Sequence, residues 1–186
     1  MQPVAGIADA LDPGVREEPP DCRLVRYVLT TRWRHGACGT VLAPAAAAVA
    51  GPLARDPGPL VEALAATPQT FVHSNWKLDN LGTDDAGRAV LLDWEQPGRG
   101  PALSDLAWYL AINCRRLPVS KEESIAMYRA ALEAAGIDTG AWWERQLALC
   151  LLGALVQFGW EKALGGYDEE LAWWEAHAVP AASLLS

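Results

Sequence analysis

Two short stretches, HSNWKLDN at residues 73–80 and LDW at residues 92–94, decide how this chain is interpreted. A mostly apolar run leads into the first residue of each stretch, at residues 70–73 and 89–92, and each run predicts a short β-strand. A turn sequence at residues 84–87 lies between them. We therefore predict that the two strands pair as a small β-hairpin that brackets a loop of polar side chains.

The sequence after this loop predicts a helical domain. Ser120 and Glu123 have the spacing of a capping box, which predicts a helix that ends at Gly136. Residues 142–164 are apolar on almost every face, so we expect a buried central helix there, and residues 168–177 predict a last helix. The tryptophan pairs in these two helices are expected to pack in the core. Upstream, Ser104 is the predicted N-cap of another helix.

The sequence before the loop is less regular. Residues 1–58 are expected to form a poorly patterned leader, and residues 59–186 the helical domain. Within the leader, residues 24–31 are rich in β-branched and aromatic side chains and predict one strand. Residues 41–51 predict a short helix with Pro44 in its first turn and Gly51-Pro52 at its end.

Composition limits the classes of function. The chain has 186 residues and a formal net charge of −8. We expect no nucleic-acid partner and no membrane partner, because both need a basic face, whereas an acidic surface suits a cationic small molecule. No apolar start signal is apparent. The cysteines have no metal-ligand spacing, so we expect reduced thiols, two of them in the core, in a cytoplasmic protein; they are Cys22, Cys38, Cys114 and Cys150.

The motifs resemble the catalytic and metal-binding loops of aminoglycoside phosphotransferase-like kinases, which share the protein-kinase fold. That family has H-G-D-x-x-x-x-N, then [IL]-D-[WF], then a D-L-A segment that opens a helix. This chain has HSNWKLDN at 73–80, LLDW at 91–94 and SDLA at 104–107. The resemblance covers residues 59–186 and implies a mainly α fold with a small β-hairpin, as in the C-terminal lobe of these kinases.

The resemblance implies an ATP-dependent kinase of small-molecule hydroxyl groups that uses Mg²⁺. Asn80 and Asp93 would be the metal ligands, because phosphoryl transfer needs metal ions held by hard oxygen atoms. Lys77 would lie near the transferring phosphate as a point charge, or else be an ordinary surface lysine. His73 would hold the loop through hydrogen bonds. Asp105 would be the structural acid that caps a helix or holds the catalytic loop.

The chain departs from the family pattern in three ways. Asn75 stands where the family has the catalytic aspartate, and an amide can orient a hydroxyl but is not a base. Ser74 replaces a glycine, which would strain the loop if the position needs a positive φ. The segment 1–58 is too short for the N-terminal β-lobe and has no lysine, so we expect that lobe to be missing or vestigial.

Several interpretations stay open at this stage. The chain could be a kinase by ancestry that is impaired by Asn75 and the missing lobe. It could be a pseudokinase that binds a small molecule or a partner chain, or that self-associates over the uncovered face. It could be repurposed for non-kinase chemistry in secondary metabolism, or be a decaying copy. Glu95 could line a substrate cleft or be a solvated loop residue, and Asp79 is expected to face away from the site.

Overall fold

The computed structural model describes residues 42–95 and 97–185, and within them the fold is mostly helical. The expected strand at 24–31, and Cys22 and Cys38, lie outside these residues. The domain division at residue 58 stays a prediction. The helices, numbered in chain order, are α1 Pro44–Arg55, α2 Gly58–Ala65, α3 Leu103–Ile112, α4 Lys121–Ala134, α5 Trp143–Leu164 and α6 Asp168–Ala178.

Helix α5 is the centre around which the other helices pack. Trp143 in α5 and Trp174 in α6 are both 2% exposed, so the prediction that the tryptophan pairs belong to the core is confirmed for these two. Trp142 and Trp173 are partly buried against the same core. By length and composition α5 could cross a membrane, but more than half of its apolar window is buried inside the fold, as in the core helix of a globular domain.

Four short strands form two antiparallel pairs. The strands are β1 Gln69–Val72, β2 Leu81–Thr83, β3 Ala89–Leu91 and β4 Gly98–Pro101. β2 pairs with β3 across the turn that contains Gly87, and β1 pairs with β4. Our prediction that the strand at 70–73 pairs with the strand at 89–92 is therefore wrong. A tight turn pairs the segments directly beside it, which are β2 and β3.

Strand β4 comes from a Gly- and Pro-rich segment whose composition is typical of a loop. Its pairing with β1 depends on a close approach between chains. A Cβ atom on Gly100 would lie 3.1 Å from Cγ2 of Val72, so a residue without a side chain lets Val72 pack against this strand. Such a tertiary contact is not visible in the composition of either segment.

The predicted helix ends are correct where they depend on local hydrogen bonds. Ser120 Oγ accepts a hydrogen bond from Glu123 N at 3.1 Å, which confirms the predicted N-cap of α4. Two predictions are wrong. Helix α1 continues to Arg55, because Leu53 is buried beyond Pro52 and holds the last turn in place. Helix α3 begins at Leu103, and Ser104 lies within its first turn with Oγ donating to the carbonyl oxygen of Pro101.

The fully buried side chain of Gln146 joins helix α5 to the start of α3 and to the segment before β1. Its Oε1 accepts a hydrogen bond from the backbone N of Leu103, at the start of α3, at 3.1 Å. Its Nε2 donates to Thr67 Oγ1 at 2.7 Å and to the Pro68 carbonyl oxygen at 2.8 Å. Gln146 therefore fixes the segment that leads into β1 and the start of α3 relative to the core helix.

We predict that Gln146→Leu lowers the free energy of unfolding by about 2–4 kcal/mol, because it leaves buried polar groups without partners. The matched control is Glu144→Leu in the same helix, which removes an exposed ion pair with Arg129 and should change the stability by about 1 kcal/mol or less. Urea denaturation followed by circular dichroism measures both. Equal losses in the two variants would contradict the structural role of the buried amide.

Candidate functional site

The loop at residues 73–80 is held by the side chain of Asp105, in the first turn of α3. Its carboxylate accepts hydrogen bonds from the backbone N of His73 and of Ser74, each at 2.7 Å. Burial raises the pKa of Asp105, and these two N–H donors only partly offset that effect. Of the two roles suggested for Asp105, its contacts correspond to holding the loop.

His73 is 2% exposed, and both of its ring nitrogens bond to backbone groups. Nε2 lies 2.9 Å from the Leu92 carbonyl oxygen, and Nδ1 accepts a hydrogen bond from Asn75 N at 3.3 Å. This pattern fits a neutral ring that donates through Nε2 and accepts through Nδ1. The ring joins the loop to the segment that carries Asp93, which is the holding role expected for His73.

Asn113 is a further buried residue that positions the loop, and the sequence did not single it out. Its Oδ1 accepts a hydrogen bond from Leu78 N at 3.0 Å, and its Nδ2 donates to the Tyr109 carbonyl oxygen at 2.8 Å. Its one signal in the sequence is a polar amide at the end of the apolar helix α3. The loop is therefore held at both of its ends by side chains of α3 or its C-cap.

Two residues of the site have left-handed backbone conformations. Ser74 has φ of 65° and Asp93 has φ of 64°. Aspartate tolerates this region because its short side chain bonds locally, whereas serine is less suited to it. The hydroxyl of Ser74 is also buried and has no hydrogen-bond partner. The position that holds glycine in the family pattern thus has the positive φ that would make serine costly.

Asp93 is the point on which the polar side chains converge. Its Oδ2 accepts hydrogen bonds from Asn75 Nδ2 at 2.7 Å and from Asn80 Nδ2 at 3.2 Å. Lys77 Nζ lies 4.0 Å from the same oxygen. Asn80 Nδ2 also donates to the Asn75 carbonyl oxygen at 2.9 Å, which fixes the orientation of that amide. Four of the predicted site residues therefore meet in one cluster.

Two acidic residues near the loop do not join this cluster. Both carboxylate oxygens of Asp79 accept hydrogen bonds from Arg116 Nη1, at 2.8 and 2.9 Å, so this carboxylate is engaged away from Asp93. Glu95 is exposed and makes no hydrogen bond or ion pair with the described residues. A role for Glu95 in a substrate cleft stays a prediction.

The residue types of the cluster suit a hard divalent cation, but the two amide groups turn their NH₂ ends, not their oxygen atoms, toward Asp93. A carboxylate and an amide oxygen are ligands that Mg²⁺ accepts. Here, however, two amide NH₂ groups donate to Asp93 Oδ2, so they supply the positive partner that a cation would otherwise give. Among the described residues, no group of three or more histidine, cysteine or acidic side chains forms another candidate metal site.

The loop held by a buried acid, and the aspartate that follows strand β3, match the arrangement expected of a kinase-like phosphotransferase domain. The sequence profile of the phosphotransferase enzyme family matches residues 5–148, which is more than half of the chain. The chain therefore belongs to the phosphotransferase enzyme family, and the resemblance to aminoglycoside phosphotransferases is confirmed at that level. The match includes part of the segment 1–58. No curated protein and no solved structure matches the chain.

We predict that Ser74→Gly raises the free energy of unfolding by about 0.5–2 kcal/mol, because it relieves the positive φ and removes the unpaired hydroxyl. Ser124→Gly, in the first turns of α4, is the matched control and should lower stability by about 0.5 kcal/mol. Chemical denaturation measures both values. A loss of stability in Ser74→Gly would contradict the assignment of strain to this position.

Proposed function

We propose that this chain is a phosphotransferase-family protein whose site is disabled as a kinase of small-molecule hydroxyl groups, that is, a pseudokinase. By ancestry the family uses ATP and Mg²⁺. The observation that carries the proposal is the 2.7 Å hydrogen bond from Asn75 Nδ2 to Asp93 Oδ2. Together with the residue type at position 75, this contact supports two proposed defects.

The first defect is the loss of a base. In the family pattern the residue at position 75 is an aspartate that accepts the proton of the substrate hydroxyl. An amide has no basic atom, although it can still orient a hydroxyl. General-base catalysis contributes typically about 10²–10⁴-fold, so Asn75 predicts slow transfer even where a substrate is well positioned.

The second defect is that the Asn75 amide competes with a metal ion for the carboxylate of Asp93. When bound, Mg²⁺ would neutralise the phosphate charge, and Asp93 and Asn80 are the residues that would hold it. With Asn75, one oxygen of Asp93 is already paired with an uncharged donor. An aspartate at position 75 would instead leave two carboxylates in contact, which a cation or a shared proton would stabilise. We therefore propose weak Mg²⁺ binding in this chain, with Lys77 as the cation nearest to Asp93.

A second candidate is a binding module that has replaced the kinase activity. The observation that favours it is an apolar face beside the site, where Phe71 is 67%, Leu92 51% and Trp94 46% exposed. The rings of Phe71 and Trp94 stack with centroids 5.9 Å apart. Such a face suits a partner chain, a second copy, or the planar part of a cationic small molecule. We also propose a cytoplasmic location, because the cysteines show no spacing typical of a disulfide framework.

The kinase proposal is tested by ATP turnover in the presence of Mg²⁺ and a panel of amino sugars and other hydroxyl compounds. We expect turnover near background for the chain itself, and a gain of at least about tenfold for Asn75→Asp. Asn75→Ala, which removes the amide without adding a base, is the control and should give no gain. Rapid turnover by the unchanged chain would contradict the proposal. An Asn75→Asp variant that stays at background would show that the missing base is not what limits turnover.

We further predict that Asn75→Asp lowers the thermal midpoint by roughly 2–6 °C without metal, because two carboxylates then face each other. Addition of millimolar Mg²⁺ should restore this loss, whereas it should change the midpoint of the unchanged chain by about 1 °C or less. The control Asn75→Asp/Asp93→Asn has one carboxylate and should not respond to Mg²⁺. An equal response to Mg²⁺ in the unchanged chain would contradict the competition by Asn75.

A further inference from the structure

A buried lysine and a cysteine form a pair outside the site. Lys162, in α5, is 2% exposed. Its Nζ donates to the Ala111 carbonyl oxygen at 2.8 Å and lies 3.4 Å from Cys114 Sγ, while Glu161 Oε1 is 3.9 Å away. A charged amine that is removed from solvent normally needs a full set of partners. Here one of those partners is a thiol, which offers a weak hydrogen bond but reacts readily with oxidants.

Cys114 lies at the wall of a cavity that is open to solvent. Cys114 is half-buried and lines an open cavity of about 570 Å³, together with Arg115 and Tyr167. Cys150, in contrast, is buried in the core. Burial raises the pKa of its thiol, and the negative charge of Asp105 adds to this effect. Reaction with peroxide requires an accessible thiolate, and positive charge near sulfur promotes it. Of these two thiols, Cys114 is therefore the one exposed to oxidation.

We propose that Cys114 and Lys162 form a covalent, peroxide-dependent crosslink. A peroxide oxidises the Cys114 thiol to a sulfenic acid and is itself reduced to water. The Lys162 ammonium passes a proton to the partly exposed Glu161 carboxylate and from there to solvent, and its free amine then attacks the sulfenic sulfur. An S–N bond forms, the S–O bond breaks, and the hydroxyl leaves as a second water. The protein loses two hydrogen atoms in total, and a thiol reductant reverses the change.

The crosslink would act on the loop through the C-terminal end of α3. Cys114 lies between Asn113, which holds Leu78 N, and Arg116, which pairs with Asp79. A bond to Lys162 would attach this short segment to the core helix α5. The proposal does not depend on kinase ancestry, because its chemistry involves neither Asn75 nor Asp93.

The experiment uses the full chain with Cys22→Ser, Cys38→Ser and Cys150→Ala, which leaves Cys114 as the single thiol and excludes intramolecular disulfides. After treatment with hydrogen peroxide, intact mass spectrometry should detect a species about 2 Da lighter that dithiothreitol converts back. Peptide mapping should join the peptides that contain Cys114 and Lys162. The crosslinked chain should also unfold at a midpoint higher by at least about 3 °C, because the bond closes a long loop.

The matched variant is Lys162→Met in the same background, which keeps an unbranched buried side chain without the amine. It should yield only additions of oxygen, at Cys114 and at methionines, and no species from which two hydrogen atoms have been lost. Folding of both proteins is checked by circular dichroism before oxidation, and Lys162→Arg serves as a second variant if methionine prevents folding. The proposal is overturned if the single-thiol chain gains only oxygen, or if mapping joins Cys114 to any group other than Lys162.

Discussion

The site depends on one constraint: the carboxylate of Asp105 accepts hydrogen bonds from two successive backbone N–H groups. One carboxylate fixes His73 and Ser74 at the point where the chain leaves β1. This geometry requires Ser74 to adopt a positive φ, and the ring of His73 then reaches the Leu92 carbonyl oxygen. Through that contact the segment bearing Asp93 comes to lie beside Asn75. Burial that raises the pKa of Asp105 is the electrostatic cost of the arrangement.

Within this frame, one change of residue type alters the chemistry of the cluster more than its shape. An aspartate at position 75 would give a base and a second negative charge next to Asp93, and a divalent cation would balance the two. Asparagine retains the size of the side chain but reverses the polarity of the contact, since its amide donates to Asp93. The Asn75 amide therefore gives Asp93 an uncharged hydrogen-bond donor in place of a second carboxylate.

The parts of the fold that could be predicted from the sequence are those set by local chemistry. The cap at Ser120 depends on a residue three positions away, and the apolar pattern of α5 depends only on burial. The pairing of β1 with β4 could not be predicted, because it depends on the close approach of Gly100 to Val72. Helix α1 passes Pro52 for a similar reason, since its last turn is held by tertiary burial of Leu53.

The same distinction applies to the site. Motif spacing identified Asn75, Lys77, Asn80 and Asp93, and these side chains do lie together. The residues that support them, Gln146 and Asn113, act on partners 79 and 35 positions away, so no local pattern reveals them. The direction of the amide groups toward Asp93 was also not predictable, because it depends on where the folded chain places this carboxylate relative to Asn75 and Asn80.

We propose that the amide of Asn75 takes the place of a cation at Asp93. A crystal structure of the unchanged chain grown in millimolar Mg²⁺ tests it most directly. We expect the Asn75 amide to lie within hydrogen-bonding distance of an Asp93 oxygen, with no ion between Asn80 and Asp93. A Mg²⁺ ion coordinated by both Asn80 and Asp93, with the side chain of Asn75 turned away, would contradict it.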